Sequence, residues 1–354
     1  MRVAKVIIGD IDSITGGYLY EKKLVEYLRQ QGHQADIVSI PNLPYALQFL
    51  ANLWPPLYFL AKKYDVIIED EMAHNAVCLF NLWARYVTRT RVVAIVHMFS
   101  WIAAGGNWLR PLVRFIEKTM LRSADLIIAN SRHTREAAEN MGLPADAIVV
   151  VYPGFDTDLA REKTPEHGDR VRLLFVGNWS PRKGLDTLIE AVSLLDNPLI
   201  VLDVVGDDSS HPRYATRVRR SIAVAGLEKR VRLHGRVGRE SIARFYSEAD
   251  VFVLPSSYEP FGIVFAEAMS FGLPIIAADA GGIPELVEHE DNGLLVPPND
   301  AIALASAIDR LASSADLQER LGARSYEKSK GLNTWDDCFA IVLGHLKRLT
   351  GEAA

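Results

Sequence analysis

The 354-residue chain has 49% hydrophobic and 23% charged residues, the balance of a soluble globular protein, and its length predicts two domains rather than one core. A net charge of −5 argues against nucleic-acid binding through a basic surface. Two distant cysteines, Cys78 and Cys338, make neither a disulfide framework nor a zinc set and point to a reducing cytosol.

MRVAKVIIGD leads straight into a strand with no h-region or cleavage site, so secretion is not expected. No apolar run reaches the roughly 18–20 residues of a spanning helix. Short apolar runs then recur: VAKVIIG (3–9), ADIVSI (35–40), DVIIED (65–70), RVVAIVH (91–97), ADLIIANS (124–131) and AIVVVYPG (147–154). An amphipathic segment, Tyr18–Gln31, links the first two and stops at Gly32. Continuous apolar strands alternating with helices predict a parallel sheet covered on both faces. The polar stretch 156–170, with Pro165 and Gly168, reads as a linker.

The pattern restarts with RLLFVG (172–177), LIVLDVVGD (199–207), VRLHG (231–235), DVFVLPS (250–256), LPIIAAD (273–279) and GLLVPP (293–298), with helices such as 184–195 and 214–225 between. Two Rossmann-like α/β units in tandem are expected, 1–160 and 161–334, with ligands beyond the C-terminal strand ends. Two features of the first half suit an anionic membrane surface or a lipid-linked acceptor. Residues 43–60 are aromatic and aliphatic, and residues 85–122 carry a local balance of +6, with Glu117 their only acid. Ordinary helix packing with solvated arginines explains them equally well.

Within SSYEPFGIVFAEAMSFGLPIIAADAGGIPELV (256–287), a helix is expected from about Gly262 to the stop at Gly272. The amides of Phe261, Gly262, Ile263 and Val264 then lie at the positive end of its dipole, a natural phosphate site. Glu267 falls between Ile263 and Phe271 on the wheel, and neither it nor Glu259 has an evident basic partner nearby in sequence. Solvent, a distant Arg or a vicinal diol would each satisfy Glu267. Gly281-Gly282 follows the next strand, Pro284 suits a first helical position, and Asn292-Gly293 suits a turn.

The run E-P-F-G-I-V-F-A-E-A-M-S-F-G-L-P-I-I-A…G-G-I-P-E-L-V…N-G-L-L-V resembles the E-x7-E region of retaining GT-B glycosyltransferases of family 4. VGNWSPRKGLDTLIEAV (176–192) resembles their phosphate-contacting loop, and TGGYLYEKKLVEYL (15–28) their first loop and helix. NTWDDCFAIVLGHLKRL (333–349) resembles the helix that crosses back onto the N-terminal domain, completing it with residues 335–350. The resemblance implies a GT-B fold, with two such domains facing across a cleft. It also implies a hexosyltransferase that moves a sugar, with retention and without metal, from a nucleoside-diphosphate sugar such as a UDP- or GDP-sugar. The acceptor would be a hydroxyl on a glycan, glycolipid or small molecule. The expected setting is the cytoplasm, free or peripheral at the inner face of the membrane.

By the same resemblance Glu267 binds the ribose hydroxyls, and Glu259 holds the transferred sugar with the amides of Phe261 and Gly262. Lys183, helped by Arg182, neutralises the leaving diphosphate; the backbone at Arg236 and Val237 contacts the base. His97 faces the donor sugar, and Gly16 and Gly17 let the first loop approach the diphosphate or acceptor. The bland readings are packing for His97, a tight turn for the glycines and a solvated pair for Arg182 and Lys183. Asn178 stands where the family commonly has Arg, so a guanidinium's charge is missing there. Asp10-Ile-Asp12 and Asp156-Thr-Asp158 spell D-x-D outside the context of a metal site. A nucleotide-sugar epimerase and a catalytically idle binding subunit are the alternatives. A dinucleotide oxidoreductase is disfavoured because no G-x-G-x-x-G follows a strand.

Overall fold

The computed structural model describes residues 1–9, 16–41, 43, 45–103, 108–156 and 170–352. Asp10-Ile-Asp12, Asp158 and nearly all of the 156–170 linker lie outside the described residues. The chain forms two compact units, Met1–Gly154 with Asn333–Ala354, and Phe155–Leu332.

In the first unit the elements run β1 (Arg2–Ile8), α1 (Gly16–Gln30), β2 (Gln34–Ile40), α2 (Tyr45–Gln48), α3 (Pro55–Lys63), β3 (Val66–Asp70) and α4 (His74–Val87). They continue with β4 (Arg91–Val96), α5 (Ser100–Ala103), α6 (Arg110–Ser123), β5 (Leu126–Ala129), α7 (Arg132–Asn140) and β6 (Ile148–Val150). The strands form one parallel sheet in the order β2-β1-β3-β4-β5-β6. β5 is buried along its whole length, which is why LIIA reads as an unbroken apolar run; β3 is buried too, although it ends in Glu69 and Asp70. α1 presents Tyr20, Leu24, Val25 and Leu28 to the core at helical spacing and ends where Gly32 takes a positive φ of 80°.

The second unit repeats the plan: β7 (Val171–Val176), α8 (Leu185–Ser193), β8 (Ile200–Val205), α9 (Pro212–Val224), β9 (Val231–Gly235), α10 (Arg239–Glu248) and β10 (Val251–Leu254). α11 (Ile263–Ser270), β11 (Ile275–Ala278), β12 (Gly293–Val296), α12 (Ala301–Ala312) and α13 (Ala315–Ser329) follow. The parallel order is β12-β11-β10-β7-β8-β9. Between β10 and β7 the order of connection reverses, so the loops after these two strands flank the switch point where such sheets take their ligands. Pro284 opens no α-helix; it sits in the single 3-10 turn Ile283–Glu285. After that turn the buried Asn292 side chain binds Leu286 O at 3.0 Å and Glu288 N at 2.7 Å, tying the chain into a short loop before β12.

The last helix, α14 (Trp335–Thr350), belongs to the first unit. It starts at a capping box between Thr334 and Asp337. Trp335 and Phe339 stack at 5.5 Å, and both meet Tyr20 of α1 edge-on, at 6.0 and 5.2 Å. The backbone at Gly154 passes so close that an added Cβ would lie 2.4 Å from Trp335 N. Among the described residues no helix is long and apolar enough to cross a membrane.

Gly154→Ala is expected to cost roughly 1–3 kcal/mol, because backbone rather than a flexible side chain must yield. A lower urea midpoint with unchanged slope would register that loss.

Candidate active site

The second unit builds its site from three adjacent loops. After β7 the chain makes the 3-10 turn Pro181–Lys183 and enters α8 through Gly184, whose φ is 68°. A Cβ on Gly184 would fall 2.3 Å from Pro255 O, so only glycine lets this turn lie against the loop after β10. Ser257 N donates to Arg182 O at 2.8 Å and laces the two loops together. From the other side, Gly282 N donates to Glu259 O at 2.7 Å, and Gly281 approaches so closely that a Cβ would lie 2.3 Å from the same oxygen.

Glu259 is thus fixed by its backbone toward β11 and by its carboxylate toward β7. Lys183 Nζ lies 2.5 Å and Arg182 Nη1 3.2 Å from Glu259 Oε2, with Ser256 Oγ at 3.4 Å. Arg182 Nη1 also donates to Tyr258 O at 2.7 Å. Arg182 and Lys183 are therefore not a solvated pair: the Lys183 side chain is 14% exposed, and that of Glu259 9%. Burial alone would raise the Glu259 carboxyl, but the charges of Lys183 and Arg182 overcome it and hold the group below the usual glutamate value. Burial draws the Lys183 ammonium below its ordinary value, and Arg182 adds to this, against the pull of Glu259.

α11 begins beside this triad. Gly262 caps it with φ 90°, and the amides of Gly262, Ile263 and Val264 have no hydrogen-bond partner among the described residues. Phe261 is buried, while Ile263 and Val264 are half-buried. Glu267, two-thirds of the way along the helix, is half-buried; its Oε2 accepts from Tyr246 OH of α10 at 2.8 Å. Tyr246 is fully buried and stacks on Phe271 at 5.2 Å. Burial, with Glu267 beside it, pushes the Tyr246 phenol well above its usual value, so it remains a donor. The sequence reading missed this partner: Tyr246 lies on another helix, and only the FYS tripeptide before β10 hinted at polarity there.

Arg236 is exposed and Val237 half-buried, just past β9. Asn178 is exposed, and its Oδ1 accepts from Asp207 N at 3.4 Å.

The first unit places His97 directly after β4, where its Nε2 lies 2.9 Å from Glu21 Oε1. Glu21 is wholly buried on α1, and its other oxygen pairs with Lys5 Nζ of β1 at 2.7 Å. Tyr20 packs edge-on against the imidazole at 4.9 Å, and Asn130 Nδ2 donates to His97 O at 2.8 Å. A carboxylate facing Nε2 favours the tautomer protonated there. Gly16 and Gly17 form the first residues of the helix that carries Glu21. Neither Lys5 nor Glu21 was singled out from sequence, although a lysine inside the apolar run VAKVII was a legible anomaly.

The profile described as Glycosyl transferases group 1 matches residues 156–328, and that described as Glycosyltransferase Family 4 matches residues 18–159. A D-inositol 3-phosphate glycosyltransferase of Xylanimonas cellulosilytica is 33% identical over 262 residues, covering 68% of this chain and 61% of its own length. The chain thus spans about three fifths of that relative. Sucrose-phosphate synthase of Thermosynechococcus elongatus has a similar structure, with TM-score 0.83, 25% identity and 98% of both chains covered. HepE of Anabaena, solved with UDP-glucose, gives TM-score 0.83 at 22% identity over 98% of this chain and 100% of its own.

Glu259→Gln leaves Lys183 buried without its acid and is expected to cost about 3 kcal/mol at neutral pH. Because the folded carboxyl titrates below the usual 4.5, its contribution is present above that value and is lost as pH falls through the folded pKa. Urea unfolding of wild type and variant across pH should show the gap closing only at the acid end.

Proposed function

Because the chain belongs to the group 1 glycosyl transferases of glycosyltransferase family 4 and has the GT-B fold, we propose that it moves a hexose from a nucleoside-diphosphate sugar to a hydroxyl acceptor, with retention and without a metal ion. The observation that carries this reading is the placement of Glu259, gripped by Lys183 and Arg182, at the sheet's switch point beside the open N-terminus of α11. HepE's capture of UDP-glucose supports the donor class. We assign donor binding to Phe155–Leu332 and acceptor recognition to the other unit.

In this reading the diphosphate sits against the amides of Gly262, Ile263 and Val264 and exchanges with Glu259 for the charges of Lys183 and Arg182. Glu259 and the amides near Phe261 and Gly262 hold hydroxyls of the sugar, and Glu267 takes the two ribose hydroxyls while Tyr246 fixes its carboxylate. The backbone at Arg236 and Val237 meets the base. Gly16 and Gly17 give the diphosphate or acceptor close access to backbone, and His97, held by Glu21, touches the transferred sugar. Asn178 adds no charge, so neutralisation of the leaving group rests on Lys183, Arg182 and the helix amides.

Chemically, the anomeric C–O bond to the phosphate breaks and the acceptor oxygen bonds to the same face. The acceptor proton passes to the departing phosphate oxygen. Glu259, tied into an ion pair, is poorly disposed to act as a nucleophile, which favours this direct course. Catalysis is then positioning and charge stabilisation. Both cysteines are free and buried, which suits the reducing cytoplasm in which we place the reaction.

The decisive experiment is a panel of UDP- and GDP-sugars scored by calorimetry, then by transfer to hydroxyl acceptors. Lys183→Ala should lower turnover about 10²-fold or more while the fold survives on the remaining Arg182–Glu259 pair. Near-normal turnover would remove Lys183 from the mechanism. Activity should persist in EDTA; its loss there, with recovery on adding a divalent cation, would end the metal-free reading.

A further inference from the structure

We infer that the outer face of α6 docks on an anionic phospholipid bilayer. Arg110, Arg114, Lys118 and Arg122 follow one another at four-residue spacing, a single cationic stripe whose members repel one another along the helix. None of the four makes an ion pair with a described residue. Their contacts leave the charge uncancelled: Arg114 Nη2 donates to Asn140 O at 3.2 Å and Arg122 Nη2 to Gly142 O at 3.1 Å. The guanidinium groups of Arg110 and Arg114 lie 4.8 and 5.2 Å from the centre of the Trp101 ring. An open groove of about 610 Å³ runs between Trp101, these cations and the 140–142 backbone, with room for a phosphate headgroup.

The helix has one acid, and it is turned inward. Glu117 is fully buried and accepts from the amides of Ser100 at 2.9 Å and Trp101 at 3.3 Å. Burial pushes its carboxyl up to about 7, so near neutral pH it is only partly charged. A chain of net charge −5 therefore concentrates unpaired positive charge on this face.

Apolar side chains at the same face decide between a soluble anion and a membrane. Leu112 and Phe115 of α6 are exposed, and Trp108 just ahead of the helix is 85% exposed. α4 packs beside α6, tied to it by Arg85 Nη1 donating to Arg122 O at 2.8 Å, and exposes Tyr86 and Val87. Cations suffice for a free phosphate; cations interleaved with exposed Leu, Phe and Trp match the headgroup–acyl boundary. With no helix able to span among the described residues, the chain would lie on the surface.

The test needs neither donor nor turnover, so its failure leaves the transferase reading standing. The full chain is sedimented with vesicles of phosphatidylcholine alone or mixed with phosphatidylglycerol, at low and high salt. Binding to the mixed vesicles only, weakened by salt, is expected. The double charge reversal Arg110→Glu with Lys118→Glu should weaken it roughly tenfold or more. Leu112→Ser with Phe115→Ser, which keeps every charge, should weaken it as well. All four substitutions lie outside the proposed donor site, and unchanged melting curves would show that the fold is intact. No binding to anionic vesicles at low salt overturns the inference. So does charge-dependent binding of inorganic phosphate in solution without any vesicle binding.

Discussion

A carboxylate withdrawn from water must find positive charge, and the second unit is arranged so that Glu259 finds two cations. The acid stands on the loop after β10, and the cations on the turn after β7, its neighbour in the sheet. Neither loop could deliver the pairing alone. Backbone contacts at Gly184 and Gly281 set the loops against each other, and the side chains inherit that spacing. Desolvation opposes the ionised acid while two cations favour it, and the cations prevail. Such a pair contributes little to stability compared with an apolar replacement, yet losing one member is costly, so it constrains the site more than it strengthens the fold.

The first unit solves the same problem with different residues. Lys5 and Glu21 are both withdrawn from solvent, and His97 shares the carboxylate at the end of β4. On the central strand β3, Glu69 is buried, and burial pushes it up to about 8 despite a 2.6 Å hydrogen bond from Asn81 and the charge of Lys5. Glu259, beside two cations, is held below the usual glutamate value, while Glu69, with one amide donor and a lysine that also pairs with Glu21, is driven toward neutrality. Burial and pairing, rather than residue type, set the charge state.

The strands were legible because a parallel sheet covered on both faces demands continuous apolar runs, and β4 after Arg91 and β5 supply them. Helix stops were legible where Gly32 and Gly272 take positive φ. The site was legible only in part. Glu259, Glu267, Arg182 and Lys183 were picked out through the resemblance of whole runs to a family motif, but the Glu259–Lys183 pairing joins residues 76 apart, and nothing local encodes it. Tyr246 was hidden for a similar reason: a tyrosine before a strand looks like core until the facing helix brings a carboxylate to it. Pro284 suits a helix start, and it stands at the start of a helix of a single 3-10 turn, Ile283–Glu285.

Two cations against one resident anion leave the Lys183 cluster with a surplus of a single positive charge. Any dianion seated there is drawn by the cations and opposed by the carboxylate at the same time. On the proposed reading, a built-in rival of this kind moderates how tightly a spent nucleotide is held, so the grip that suits bond cleavage need not become a trap that slows the next cycle.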